Sequence, residues 1–289
     1  MNATLLLIVI CVLAGSSLGQ VISSRTVERT FYFSGYQAIL YKIQLEENWW
    51  EYEWEVRLCD KNLLTSFRWY PAPEFHNFNY DPNGVRKPRY VEDINGDRKG
   101  ELILSVISGG NNGWESSYIY TLDTIATEIA VFNGLNSGLN GIHLLEIDQD
   151  TIPELVFNDM NYGCWPEGCF GAPAPLLIWK WDGNKYRLSN LKYKEYLLNK
   201  KGWKDIGDLK SSIDSWVETF YKKPGYAAFP PLIAHVMIEF IYAGQYSKAD
   251  SAFSSLWPGI VDGKERVHEE IWDRVRGSPF WQELQESDW

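Results

Sequence analysis

The sequence predicts a mainly β chain with an α-helical C-terminal region. Three observations carry this: a long stretch of short aromatic and β-branched runs, a change of hydrophobic period near residue 190, and an internal repeat. From Arg29 to about Leu188 the runs include "FYFSGYQAILYKIQL", "WWEYEWEVRL", "ELILSVIS", "SSYIYTL", "EIAVFNG", "ELVFND" and "LLIWKWDGNKYRLS". Turn residues separate them, among them Asn83-Gly84, Gly109-Gly110, Asn133-Gly134 and Asp182-Gly183, which supply the positive φ angles of tight turns. In "WEYEWEV" Trp50, Tyr52, Trp54 and Val56 alternate with acids, the pattern of a strand with one buried face.

Beyond "NLKYKEYLLNKKGW" the period lengthens. Ile206, Leu209, Ile213, Trp216, Val217 and Phe220 fall on one helical face, which Pro224 and Gly225 terminate. Two apolar helices broken at Gly244 follow, then a last helix reading "KERVHEEIWDRVRGSPFWQELQ". At the other end, Leu5 to Ala14 is unbroken apolar or small sequence. Ser17 and Gly19 suit the −3 and −1 positions of a signal-peptidase site. The run is shorter than the roughly 20 residues a membrane-spanning helix needs. The expected organisation is therefore a signal peptide over 1–19, a β-repeat domain over 20–192 and a helical domain over 193–289. The mature chain would be secreted, periplasmic or extracellular, with no stable membrane insertion.

The repeat carries the chemistry. "YVEDINGDRKGELIL" from Tyr90 and "LLEIDQDTIPELVF" from Leu144 align without a gap at a constant interval of 53 residues. Asp93 falls on Glu146, Asn95 on Asp148, Asp97 on Asp150 and Glu101 on Glu154. A hard divalent cation takes about six to eight oxygen ligands, and a short loop supplies them from alternate residues. The first loop offers Asp93, Asn95, Asp97, the Lys99 carbonyl and Glu101. The second offers Glu146, Asp148, Asp150, the Ile152 carbonyl and Glu154. An EF-hand needs an acid at position 12, where Leu104 and Phe157 stand, so that motif is excluded. The competing reading makes these side chains turn formers that bond only their own backbone.

These loops resemble the FG-GAP or VCBS repeats of integrin α-subunit propellers and many secreted bacterial proteins. In those repeats D-x-[DN]-x-D-G-x-x-[DE]-L joins the first two strands of a four-stranded blade. The resemblance spans about Tyr90 to Asn190, and Phe31 to Tyr80 by texture alone. It implies Ca²⁺ as a structural cofactor. Three departures matter, one being that Arg98 and Lys99 bring two positive charges to the first loop, which should weaken cation binding there. Arg98 and Thr151 stand where the family has its turn glycine, and Glu146 replaces the leading Asp. Roughly 160 β residues make about three blade-length units, fewer than the four of a closed propeller. The expected fold is thus a partial β-propeller-like repeat domain, with a β-sandwich as alternative, plus a helical cap over the exposed β edge. In the cap, Gly244, Tyr246, Ala249 and Phe253 resemble one tetratricopeptide hairpin.

A net charge of −11 argues against nucleic acid as partner and suits a cation-binding chain. His76, His143, His235 and His268 are scattered, and no G-x-S-x-G or H-E-x-x-H occurs, so binding is favoured over catalysis. The partner expected is a protein or a glycan. A second possibility is a carbohydrate-binding protein, or a polysaccharide-active enzyme on the same scaffold. Trp114, Tyr162, Trp165 and Phe170, set among Gly, Pro and Asn, are the candidate stacking residues. In an oxidising compartment Cys164 and Cys169 of "CWPEGC" are expected to pair, pinning that loop.

Overall fold

The structure is a computed structural model that describes residues 24–33, 36–46, 49–58, 63–69, 91–107, 114–122, 126–136, 142–166, 172–201 and 206–286. The expected signal peptide, Cys169 and Phe170 lie outside the described residues, as does the side chain of Trp114.

Among the described residues, twelve strands form three four-stranded antiparallel sheets, each a simple meander in chain order. The first holds β1 (Ser24–Phe33), β2 (Tyr36–Glu46), β3 (Trp49–Leu58) and β4 (Leu63–Trp69). The second holds β5 (Val91–Glu92), β6 (Glu101–Ile107), β7 (Trp114–Leu122) and β8 (Ala126–Asn136). The third holds β9 (His143–Leu145), β10 (Glu154–Asn158), β11 (Leu176–Trp181) and β12 (Tyr186–Leu188). Six helices follow: α1 (Lys194–Lys201), α2 (Ile206–Phe220), α3 (Pro231–Tyr242), α4 (Tyr246–Leu256), α5 (Lys264–Arg276) and α6 (Trp281–Glu286). The chain is therefore mixed, with small antiparallel sheets first and helices toward the C-terminus. Among the described residues each sheet is open, with two edge strands.

The acid face of "WEYEWEV" is also covered in part. Glu55 is buried, with Arg25 on β1 and Arg57 on β3 both donating to its carboxylate. A buried carboxylate is tolerable on a strand only because those guanidiniums neutralise it.

One hydrophobic core joins the second sheet, the third sheet and the helices. Ile103, Ile119 and Phe132 meet Phe157, Leu177 and Trp179, and beyond them Ile238, Phe253 and Ile271. Phe132 lies 5.0 Å from Trp179 and 5.1 Å from Phe157, in tilted and edge-on geometries that aromatic quadrupoles favour. Helix α2 buries Ile213 and Val217 and lays Leu209 and Trp216 against this core, as its period predicts. The expected last helix is instead two. Gly277 ends α5 and Pro279 precedes α6, and Ser278 between them turns inward to bond Asp159. Gly244 closes α3 at φ +68°, and a Cβ there would fall 2.0 Å from Leu191 Cδ2, so the turn requires glycine.

Two fully buried polar residues staple the third sheet to α3. Asn190 accepts from the Ile178 N–H at 2.8 Å and donates to the carbonyls of Leu176 (2.9 Å) and Tyr242 (3.1 Å). Asp159 accepts from the Tyr242 hydroxyl, from Ser278 Oγ at 2.9 Å and from the Asn161 N–H at 2.9 Å. Removing the acceptor strands several buried donors. Asp159→Ala is expected to cost about 3 kcal/mol in denaturant unfolding, and Tyr242→Phe about 1 kcal/mol. A loss below about 1 kcal/mol for Asp159→Ala would show that the staple is dispensable.

Candidate functional site

Both acidic loops occupy the same place in their sheets. Residues 93–100 run between β5 and β6, and residues 146–153 between β9 and β10, the first two strands in each case. The repeat extends to backbone conformation. Gly96 and Arg98 have φ of +81° and +68°, and their counterparts 53 residues on, Gln149 and Thr151, have +63° and +73°. Arg98 and Thr151 thus hold the left-handed conformation that the missing glycine would adopt freely, and a β-branched Thr does so under strain.

Shared hydrogen bonds follow from that shape. Each strand-opening glutamate accepts from the N–H of the loop's second residue: Ile94 to Glu101 at 2.9 Å, Ile147 to Glu154 at 2.7 Å. The fifth-position aspartates each accept from the N–H two residues on, Lys99 to Asp97 at 2.8 Å and Ile152 to Asp150 at 3.0 Å. Both glutamates are sealed from solvent, Glu101 at 1% exposure and Glu154 at 0%.

The loops part company in how the remaining charge is met. In the first, Asp93 accepts from the Gly96 (2.8 Å) and Arg98 (2.9 Å) N–H groups, and Asn95 Oδ1 accepts from Asp97 N–H (2.9 Å). The second Glu101 oxygen accepts from Asn95 Nδ2 at 3.2 Å. Burial pushes Glu101 up to about 7; the Ile94 N–H opposes this, and the charges of Asp97 and Asp93 add to it. Its donors are all oxygens, from Asp93, Asn95, Asp97, Glu101 and the Lys99 carbonyl. That chemistry fits a hard cation.

In the second loop an ammonium already stands among the acids. Lys180 rises from β11, 10% exposed, and its Nζ meets Asp148 Oδ2 (2.9 Å), Asp150 Oδ2 (2.7 Å) and Glu154 Oε1 (2.7 Å). The Tyr193 hydroxyl reaches Asp148 and Glu154, both at 2.7 Å, and Lys192 reaches Asp148 at 3.0 Å. Against the upward push of burial, donation from Lys180, Tyr193 and Lys192 holds the Asp148 carboxyl well below the usual carboxylate range. Burial lowers Lys180, but Asp150, Glu154 and Asp148 outweigh it and hold its pKa above the ordinary value. Oxygens of Asp148, Asp150 and Glu154 lie within 4.8 Å of one another, an arrangement that could hold a metal ion in the lysine's stead. Glu146, the expected first ligand, is exposed and outside that group.

Lys180, Tyr193 and Lys192 were not among the residues expected at the site. The available signal was a lysine inside the apolar run "LLIWKW", on a strand with both faces otherwise buried. In the second sheet the matching place belongs to Thr121. Leu102 pairs with Tyr120 as Leu155 pairs with Trp179, and Glu101 pairs with Thr121.

Of the four aromatic candidates, Tyr162 and Trp165 have described side chains. Tyr162, a candidate for stacking or for filling a gap in the core, is 3% exposed and its hydroxyl bonds that of Tyr242 at 3.1 Å, so it offers no face to a ligand. Trp165 is half-buried, with the Arg274 guanidinium 4.4 Å from its ring centroid and the Phe229 ring beside it at 5.9 Å. Trp114 opens β7. Cys164 is exposed and disulfide-bonded; the expected partner Cys169 lies outside the described residues. No family model, curated protein or solved structure matches the chain.

Relief of the left-handed strain is measurable. Thr151→Gly is expected to stabilise the chain by about 1 kcal/mol in denaturant unfolding, and a neutral or negative change would remove the strain argument. Glu101 gives a pH signature. The folded chain holds this proton up to about 7 and the unfolded chain only to the ordinary 4.5. Between those values the native state binds more protons, so stability falls as pH rises and the full cost is present above about 7. With divalent cations chelated, Glu101→Gln should flatten that decline; an unchanged slope would assign it to other groups. Asp148 does not overlap, because its depressed value places its effect below 3.8.

Proposed function

We propose that this protein is an exported, calcium-stabilised β-repeat module that acts by binding a protein or glycan partner rather than by catalysis. The observation that carries the reading is the pair of acidic loops. They stand at one position in two successive meanders, share their left-handed turns, and present oxygen ligands ahead of a buried glutamate. In this reading the three meanders are blades of an open, propeller-like stack, and the helical region covers its end. Packing of α3 on β11 and of α6 on the edge strand β12 supports that role for the helices.

The first loop is the calcium loop. Asp93, Asn95, Asp97, Glu101 and the Lys99 carbonyl would hold the ion, whose charge would neutralise carboxylates that otherwise face one another. Its role is structural, fixing the segment that feeds β6. Through β12 the effect reaches the third sheet, because Tyr186 donates from its hydroxyl to the Ile94 carbonyl at 3.2 Å. No helix among the described residues is long and apolar enough to cross a membrane. The glycan-stacking version of the binding role loses Tyr162 to the core and one face of Trp165 to Arg274. With two of the four expected stacking residues engaged within the chain, this reading favours a protein partner.

The test is thermal unfolding of the mature chain in EDTA, then with Ca²⁺ or Mg²⁺ added. A ligand that binds only the folded state stabilises it by about 2.7 kcal/mol at a hundredfold excess over its Kd. The midpoint should rise with calcium and much less with magnesium, and Asp97→Ala should abolish the rise. Indifference to both ions would remove the metal from this reading.

A further inference from the structure

We propose that the Lys180 ammonium is the resident cation of the second acidic loop, making that loop independent of metal, and that removing its charge would make the loop calcium-dependent. The two loops of one chain serve as each other's control, whether or not the first binds metal.

Three side chains at the repeat positions of metal ligands, Asp148, Asp150 and Glu154, each place an oxygen 2.7–2.9 Å from Lys180 Nζ. An ammonium has three N–H donors, and here there are three carboxylates to receive them. A calcium ion would need the same oxygens at about 2.3–2.6 Å around the same point, so ion and ammonium exclude each other. The lysine is built in from below: its stem belongs to β11, whose residues Leu176–Lys180 are all buried. The ammonium is thus presented to the acids from the strand itself, with its side chain 10% exposed. Tyr193 bonds Asp148 and Glu154 from another side and completes the enclosure.

The control is inside the molecule. Loop backbone, the buried glutamate and its N–H partner are the same in the second sheet, yet Thr121 occupies the lysine's register there. One strand position thus separates a loop that meets a lysine from its third strand from a loop whose third strand carries threonine there.

The experiment uses the full mature chain carrying Asp97→Ala, which removes that ligand oxygen from the first loop, so that any calcium response belongs to the second. This parent should unfold at the same midpoint in EDTA and in millimolar Ca²⁺. Adding Lys180→Gln should lower the EDTA midpoint by about 10 °C, the scale of breaking a buried ion pair in a chain of this size. Calcium should restore at least half of that loss. Lys180→Arg, which keeps the charge, should stay indifferent to calcium. Tb³⁺ luminescence excited through the adjacent Trp181 gives a second readout, expected from the Lys180→Gln chain and absent from the parent. The proposal is overturned if the parent responds to calcium, if Lys180→Gln gains neither calcium stabilisation nor terbium emission, or if that chain fails to fold at every calcium concentration. Failure of the first-loop reading shows separately, as a wild-type chain that ignores calcium.

Discussion

Two sealed carboxylates govern this molecule. Glu101 and Glu154 each open the second strand of a sheet, each nearly or fully without solvent. Moving an ionised carboxylate out of water costs several kcal/mol even after relaxation, so each must be met by charge or hydrogen bonds. The loop ahead of each strand supplies the first part of the answer, one backbone N–H aimed at the same oxygen. That geometry demands left-handed residues at the fourth and sixth positions, which is why Arg98 and Thr151 are held there despite the cost. Strain in the loop is thus the consequence of burying an acid at the strand entrance.

From these entrances the rest of the fold is tied together by polar contacts that span long sequence distances. Tyr186 on β12 reaches back to the first loop, and Tyr193 beside α1 reaches the second. Asn190 and Asp159 then fix the third sheet to α3 and to the break between α5 and α6. Apolar burial supplies most of the favourable free energy, but it is non-directional. The buried polar groups choose one arrangement of sheet and helices, because a shift of either element would orphan them. The helical region is accordingly part of the same packed body as the second and third sheets.

Much of this was legible. Period two and turn pairs marked the strands, period 3.6 marked α2, and an ungapped 53-residue repeat located both loops. The family's turn glycine marked Arg98 and Thr151 as positions of strain or altered shape, and both adopt positive φ. The misses share a cause. Lys180 lies 26 residues from Glu154 and 32 from Asp148, and only strand register brings them together. Tyr162 sits in a Gly- and Pro-containing turn, a composition that marks surface, yet the turn folds onto α3 and buries the ring. The break after α5 was hidden because apolar spacing continues across Gly277–Phe280 while the backbone turns away to let Ser278 meet Asp159.

The identity of the third loop residue follows from the same electrostatics. In the first loop Thr121 stands at the register that Lys180 holds in the third sheet, and Asn95 donates to Glu101 from its own amide. An aspartate there would set a carboxylate against a buried carboxylate. In the second loop Lys180 donates to Glu154 and Asp148 together, so position three can carry an acid, and the Tyr193 hydroxyl bridges the same two groups. Asn with Thr121, and Asp with Lys180, are therefore matched pairs. Exchanging one member alone leaves either two acids unshielded or a lysine short of a partner. The residue opposite the buried glutamate on the third strand thus decides which polar set the loop can hold.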